Sequence, residues 1–146
     1  MDRKAVFTRN DKKTLEEACN REGPTAFQSK VKWAEAQRSL KKQKTLKVYI
    51  AQAGEPGEPK VMYDGTITEI AFVDSAPEAA NNLLAAHGVE KECWGKGKTV
   101  YLVSGCGKIP EMPLSALRLA KNGTPLSDNY NYSYSIVLEH DAKAVT

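Results

Sequence analysis

Hydrophobic and polar positions alternate most cleanly over Leu46 to Ala53 (LKVYIAQA), where Leu46, Val48 and Ile50 share one side, as in a half-buried strand. Gly54-Glu55-Pro56-Gly57-Glu58-Pro59 breaks the pattern, and Lys60 to Val73 resumes it as a longer strand. Asp64-Gly65 marks a bulge or tight bend within that strand, and the pair predicts an antiparallel hairpin. Upstream, Ala5 to Thr8 predicts a short strand. Asn10-Asp11 offers a cap to a helix over Lys12 to Glu22, which Gly23-Pro24 stops. Phe27, Val31, Ala34 and Leu40 recur at three-to-four spacing and predict a second helix over Phe27 to Gln43.

Downstream, Ser75-Ala76-Pro77-Glu78 reads as a helix start, with Ser75 as cap, and Gly88 as the C-cap after His87. Val89 to Lys98 is a polar loop. Thr99 to Ser104 is an apolar strand ending at Gly105-Cys106-Gly107, which lets the backbone turn. Leu114 to Lys121 predicts a one-sided helix stopped by Asn122-Gly123, and Tyr134 to Leu138 the last strand. The strands are not separated by regular βαβ crossovers, which argues against a parallel Rossmann sheet. The fold class expected is α+β: a small mixed or antiparallel curved sheet, or a pseudo-barrel, with inserted short helices.

Length and charge narrow the picture. At 146 residues the chain reads as a single domain, able to bury its core without metal or disulfide staples. A net charge of +3 permits a polyanionic partner without demanding one. Cys19, Cys93 and Cys106 show no paired spacing, so reduced thiols are expected and no zinc site. No secretory leader or bilayer-length apolar run is read, and a cytoplasmic location is expected. His87 and His140 have no acidic partner at helix spacing, which argues against a metal or acid-base role. Lys30, Lys32, Arg38, Lys41, Lys42, Lys44 and Lys47 form the densest basic segment, either a solvated face or a phosphate contact. The run Gly95-Lys96-Gly97-Lys98 is too short and wrongly spaced for a P-loop.

Three phrases resemble the PUA-like superfamily, in particular its EVE and ASCH branches. They are KTLKVYIAQAG, VMYDGTITEIAFVDSAPEA and YLVSGCGKIPEMPLSALRL, which together cover roughly residues 44 to 139. The residues before them, 11 to 43, then form a helical N-terminal part. The G-x-K-x-x-E-x-R signature of a typical ASCH domain is not present. The resemblance implies a pseudo-barrel that binds DNA or RNA, in some branches by seating an extruded modified base. That task asks for aromatic faces, edge-reading polar groups and lysines on flanking phosphates.

The candidates for stacking are Trp94, Trp33, Tyr130, Tyr132 and Tyr134, the tyrosines alternating so that an extended chain turns them one way. The alternative for the tyrosines is a strand face covering the core, and for Trp94 a lid on it. Phosphate contacts fall to Lys41, Lys42, Lys44, Lys96 and Lys98. No catalytic residue, metal or other cofactor is assigned. An ASCH-type hydrolase would need Lys47, Thr68 and Glu69 to converge, and a thiol mechanism would need a base near Cys106. A third reading is an interaction or oligomerisation module, with a homodimer or a partner enzyme.

Overall fold

The computed structural model describes residues 3–53, 60–89, 98–127 and 134–139. In chain order its elements are β1 (Lys4–Asp11), α1 (Lys12–Cys19), β2 (Thr25–Ser29), α2 (Ala34–Gln43), β3 (Leu46–Ala53), β4 (Lys60–Phe72), α3 (Pro77–His87), β5 (Thr99–Pro113) and β6 (Tyr134–Leu138). The strands form one mixed sheet in the order β2-β5-β4-β3-β1-β6. It is α+β as expected, but open: β2 and β6 stand at opposite edges, so no barrel closes. β1 and β3 pair in parallel, and every other neighbouring pair is antiparallel.

Both faces of the sheet are covered, which explains why β1 and the first half of β5 are buried in continuous runs rather than alternately. Ala5, Val6 and Phe7 are all fully buried because β1 packs on both sides. Val6, Val48, Ile50, Tyr101 and Val103 join Leu15 and Ala18 of α1, Ala36 of α2 and Trp33 just before it in one core. The intervening residues Val100 and Leu102 pack with Ala80, Leu83 and Leu84 of α3. Further along that second face, Phe7, Tyr49, Ala51 and Val137 pack with Leu114, Leu117 and Leu126.

Several local expectations are corrected. Residues 25–29 form edge strand β2, not the start of a helix, so the 11–43 region is woven into the sheet and is not wholly helical. The apparent spacing of Phe27, Val31, Ala34 and Leu40 spans a strand, a loop and α2. Helix α1 ends at Cys19 rather than Glu22. Its cap is as read: the Asp11 carboxylate accepts from the amide and hydroxyl of Thr14, at 3.0 and 2.8 Å. Burial opposes ionisation of Asp11, but those bonds outweigh it and hold its carboxyl below the usual range. Ala76, not Ser75, caps α3, without a side-chain bond. Gly88 is the C-cap as expected, its amide donating to the Leu84 carbonyl at 2.8 Å; it is extended (φ −76°, ψ 146°) and bridges Ala26.

Strand β5 does not stop at Ser104 but continues through Gly105 (φ +65°) to Pro113. The pairing slips where Asp64 faces Gly107 and Thr66 faces Ser104: Gly105 and Cys106 on β5 oppose Gly65 alone, so the bulge expected at Asp64-Gly65 is carried by β5. A Cβ on Gly65 would overlap Val103 Cγ1, which accounts for glycine there. The predicted helix over Leu114 to Lys121 is only a 3-10 turn, Leu114–Ala116. Beyond it the chain runs extended along β6: Ala120 donates to the Ile136 carbonyl at 3.1 Å and Leu138 to the Arg118 carbonyl at 2.9 Å. An edge strand with open backbone groups offers those partners, and covering it also blocks edge-to-edge pairing. Finally, Cys19 and Cys106, 87 residues apart, are joined by a disulfide with Cα atoms 5.0 Å apart, where free thiols were expected. Spacing rules detect neighbouring pairs and miss one made by folding.

Candidate functional site

One cleft stands where α2 lies over the β1/β6 edge. Its larger part, about 800 Å³, is lined by Arg3, Lys4, Glu35, Arg38, Ser39, Lys41, Lys42 and Gln43. A second part, about 450 Å³, shares Lys4 and Glu35 and continues past Tyr134, Ser135 and Ile136 to Leu119–Lys121. Together they form a groove with Arg3, Lys4, Arg38, Lys41, Lys42 and Lys121 as cations and Glu35 as its carboxylate.

Helix periodicity builds one wall. Glu35, Arg38 and Lys42 recur at three-to-four spacing on α2, so they share a face. The other wall is the start of β1, fixed by backbone. Gln43 accepts from the Lys4 amide at 2.8 Å and donates to the Lys4 carbonyl at 3.0 Å. Arg3 is held by Glu139 at 3.2 Å and by the Thr45 carbonyl at 3.2 Å. Arg38 pairs with Glu35, and the hydrogen bond and charge of Arg38 hold the Glu35 carboxyl below its ordinary range. Lys4, Lys41, Lys42 and Lys121 make no ion pair among the described residues, leaving their charge to the groove.

At the apolar end, Tyr134 finishes a column of rings. Phe27 stacks on Tyr101 at 5.6 Å, Tyr101 on Trp33 at 4.1 Å, and Trp33 on Tyr134 at 4.8 Å with the planes 9° apart. The Tyr134 hydroxyl accepts the Ala36 amide at 2.9 Å, one of the otherwise unpaired donors in the first turn of α2. Burial pushes the Tyr134 phenol up to about 12, although the Ala36 bond works the other way.

The predicted site residues therefore separate. Tyr134 lines one part of the groove, and Lys41 and Lys42 line the other. Trp33 is fully buried behind Tyr134, with its indole N–H given to Ser29 at 3.1 Å, so it presents no face to a ligand. Lys44 is exposed just past α2, at φ +74°, and does not line the groove. Lys98 lies by β2 and β5 at the opposite edge of the sheet, its amide bonded to Ser29. Trp94, Lys96, Tyr130 and Tyr132 lie outside the described residues. Lys47, Thr68 and Glu69 do not converge. Lys47 faces Thr66 and pairs with Asp64 at 2.9 Å, while Thr68 and Glu69 are exposed further along β4. Among the described residues no three His, Cys, Asp or Glu side chains gather as a metal site, and no helix is long and apolar enough to cross a membrane.

Sequence reasoning missed Arg3, Lys4, Glu35 and Lys121. Arg3-Lys4 immediately before an apolar strand was a visible signal, but only the fold places it opposite α2. No protein-family model matches the chain, no curated protein matches it in sequence, and no solved structure matches its fold.

Proposed function

We propose that the protein binds nucleic acid along the α2/β1/β6 groove, phosphates lying on Lys4, Lys41 and Lys42 and a base meeting Tyr134. The observation that carries this reading is the joining of a cationic cavity to an aromatic one through shared residues Lys4 and Glu35. Backbone phosphates supply affinity through cation contact, and an aromatic face accepts any base by stacking. The resemblance to PUA-like domains points the same way, including toward a modified base in the aromatic part, although here the sheet is open. No nucleophile and base are brought together among the described residues, so the reading is of a binding module.

Fluorescence anisotropy with labelled single- and double-stranded oligonucleotides, titrated with salt, is the test. Phosphate contacts at Lys4, Lys41 and Lys42 predict a log–log salt slope of about −2 on single strands, at roughly −0.7 per phosphate contacted. Binding that is absent at low ionic strength, or insensitive to salt, overturns the reading.

A further inference from the structure

The disulfide between Cys19 and Cys106 stands apart from the groove, and its two halves are held very differently. Cys106 belongs to the β4–β5 ladder, between Ser104, which faces Thr66, and Gly107, which faces Asp64. Gly105 and Cys106 are the two residues of the bulge on β5, opposite Gly65, whose missing side chain lets the strands approach there: a Cβ on Gly65 would sit 3.4 Å from the Cys106 Cα. Cys19 closes the eight-residue helix α1, whose own grip on the core is Leu15 and Ala18, with the Thr25 hydroxyl bonded to the Ala18 carbonyl at 3.2 Å. Both cysteines are part-exposed, and the glycines flanking Cys106 have no side chains to shield its sulfur.

We propose that this bond is a reversible thiol–disulfide exchange site, opened by a low-molecular-weight thiol at Cys19 and freeing the end of α1 from β5. The direction follows from the leaving group, because exchange is faster when the better-stabilised thiolate departs. A thiolate on Cys19 would face the carbonyl end of α1, with Glu16 one turn back. Cys106 lies on a strand, with Lys108 two residues further on. Attack therefore falls on the Cys19 sulfur: the external thiolate forms a mixed disulfide there, the Cys19–Cys106 bond breaks, and Cys106 leaves as thiolate. A second external thiolate attacks the mixed disulfide and releases Cys19. Two external thiols are oxidised to one disulfide, and the protein disulfide is reduced to two thiols. The reverse exchange closes the clamp.

The test uses the full chain carrying Cys93→Ser, which removes the third thiol. Air-oxidised protein is exposed to graded reduced glutathione, quenched by alkylation, and mapped by peptide mass. The expected result is a glutathione adduct on Cys19 with alkylated Cys106, in protein whose circular dichroism is still that of the folded chain. Excess oxidised glutathione should restore the bond. The reduced form should melt more than about 5 °C lower, a shift that the Cys19→Ser/Cys106→Ser variant does not show on adding thiol. Full alkylation of both cysteines before any reductant overturns the proposal. So does a bond that opens only in denaturant, or an adduct that forms on Cys106.

Discussion

Tyr101 and Tyr134 stack on the same indole, Trp33, yet they live in different worlds. Tyr101 is 1% exposed, and burial drives its phenol well above the ordinary range against a hydrogen bond to Thr8. Tyr134 is part-buried, lines the groove and binds α2 through the Ala36 amide. Inner rings cohere the sheet with α1 and α2. The outermost ring also fixes a helix whose opposite end carries Lys41 and Lys42. Aromatic chemistry alone does not mark a binding surface; what decides is whether the column ends in the core or at charged, open walls.

The most severe challenge to that division is Trp33→Ala. A ring so enclosed should cost about 3–5 kcal/mol of stability, read by denaturant unfolding, and a much smaller loss would mean that the column is not a structural axis. Next comes Lys41→Glu with Lys42→Glu. Oligonucleotide affinity should drop by about tenfold or more with the melting temperature nearly unchanged, since exposed side chains add little to stability. Equal affinity would detach the groove from binding.

Tyr134→Phe tests the coupling of ring to helix. It keeps the stack but strands the Ala36 amide, costing about 1–3 kcal/mol. The same variant has a signature in alkali. The Tyr134 phenol titrates at about 12 in the fold, against about 10 in the unfolded chain, so the neutral form is favoured by folding. Its contribution is complete below pH 10 and is lost as pH climbs toward 12. Tyr134→Phe should flatten that alkaline decline, and an unchanged pH profile would show that the hydroxyl is not held as described. The smallest effect is at Lys44, whose φ of +74° is one that glycine adopts freely. Lys44→Gly should leave stability unchanged or raise it by about 1 kcal/mol, with binding intact, because this lysine stands off the groove.

Much of the sheet was legible because strand periodicity is a local signal. β3, β4 and β6 lie close to where their apolar residues predict, while the irregularity expected at Asp64-Gly65 is a bulge of the facing strand, at Gly105 and Cys106. Residues 25–29 were not legible, since an edge strand buried on both sides loses its alternation and its apolar residues mimic helical spacing. Residues 117–121 carry leucines that suit a helix, but a neighbouring edge strand satisfies their backbone better than one isolated turn. Of the site, Lys41 and Lys42 announced themselves by density. Arg3 and Lys4 acquire meaning only through pairing of β1 with β3 and β6, a relation across the whole chain.

That pairing has a temporal side. β1 is made first, yet its neighbours are β3, about forty residues later, and β6, where Lys4 meets Leu138. A nascent chain emerging in order must keep one margin of β1 unsatisfied until residues 134–138 arrive, and closing so large a loop is entropically slow. The groove straddles this last-formed seam. Ligand competence should therefore appear as a late kinetic phase on refolding, after most of the sheet's hydrogen bonds are in place.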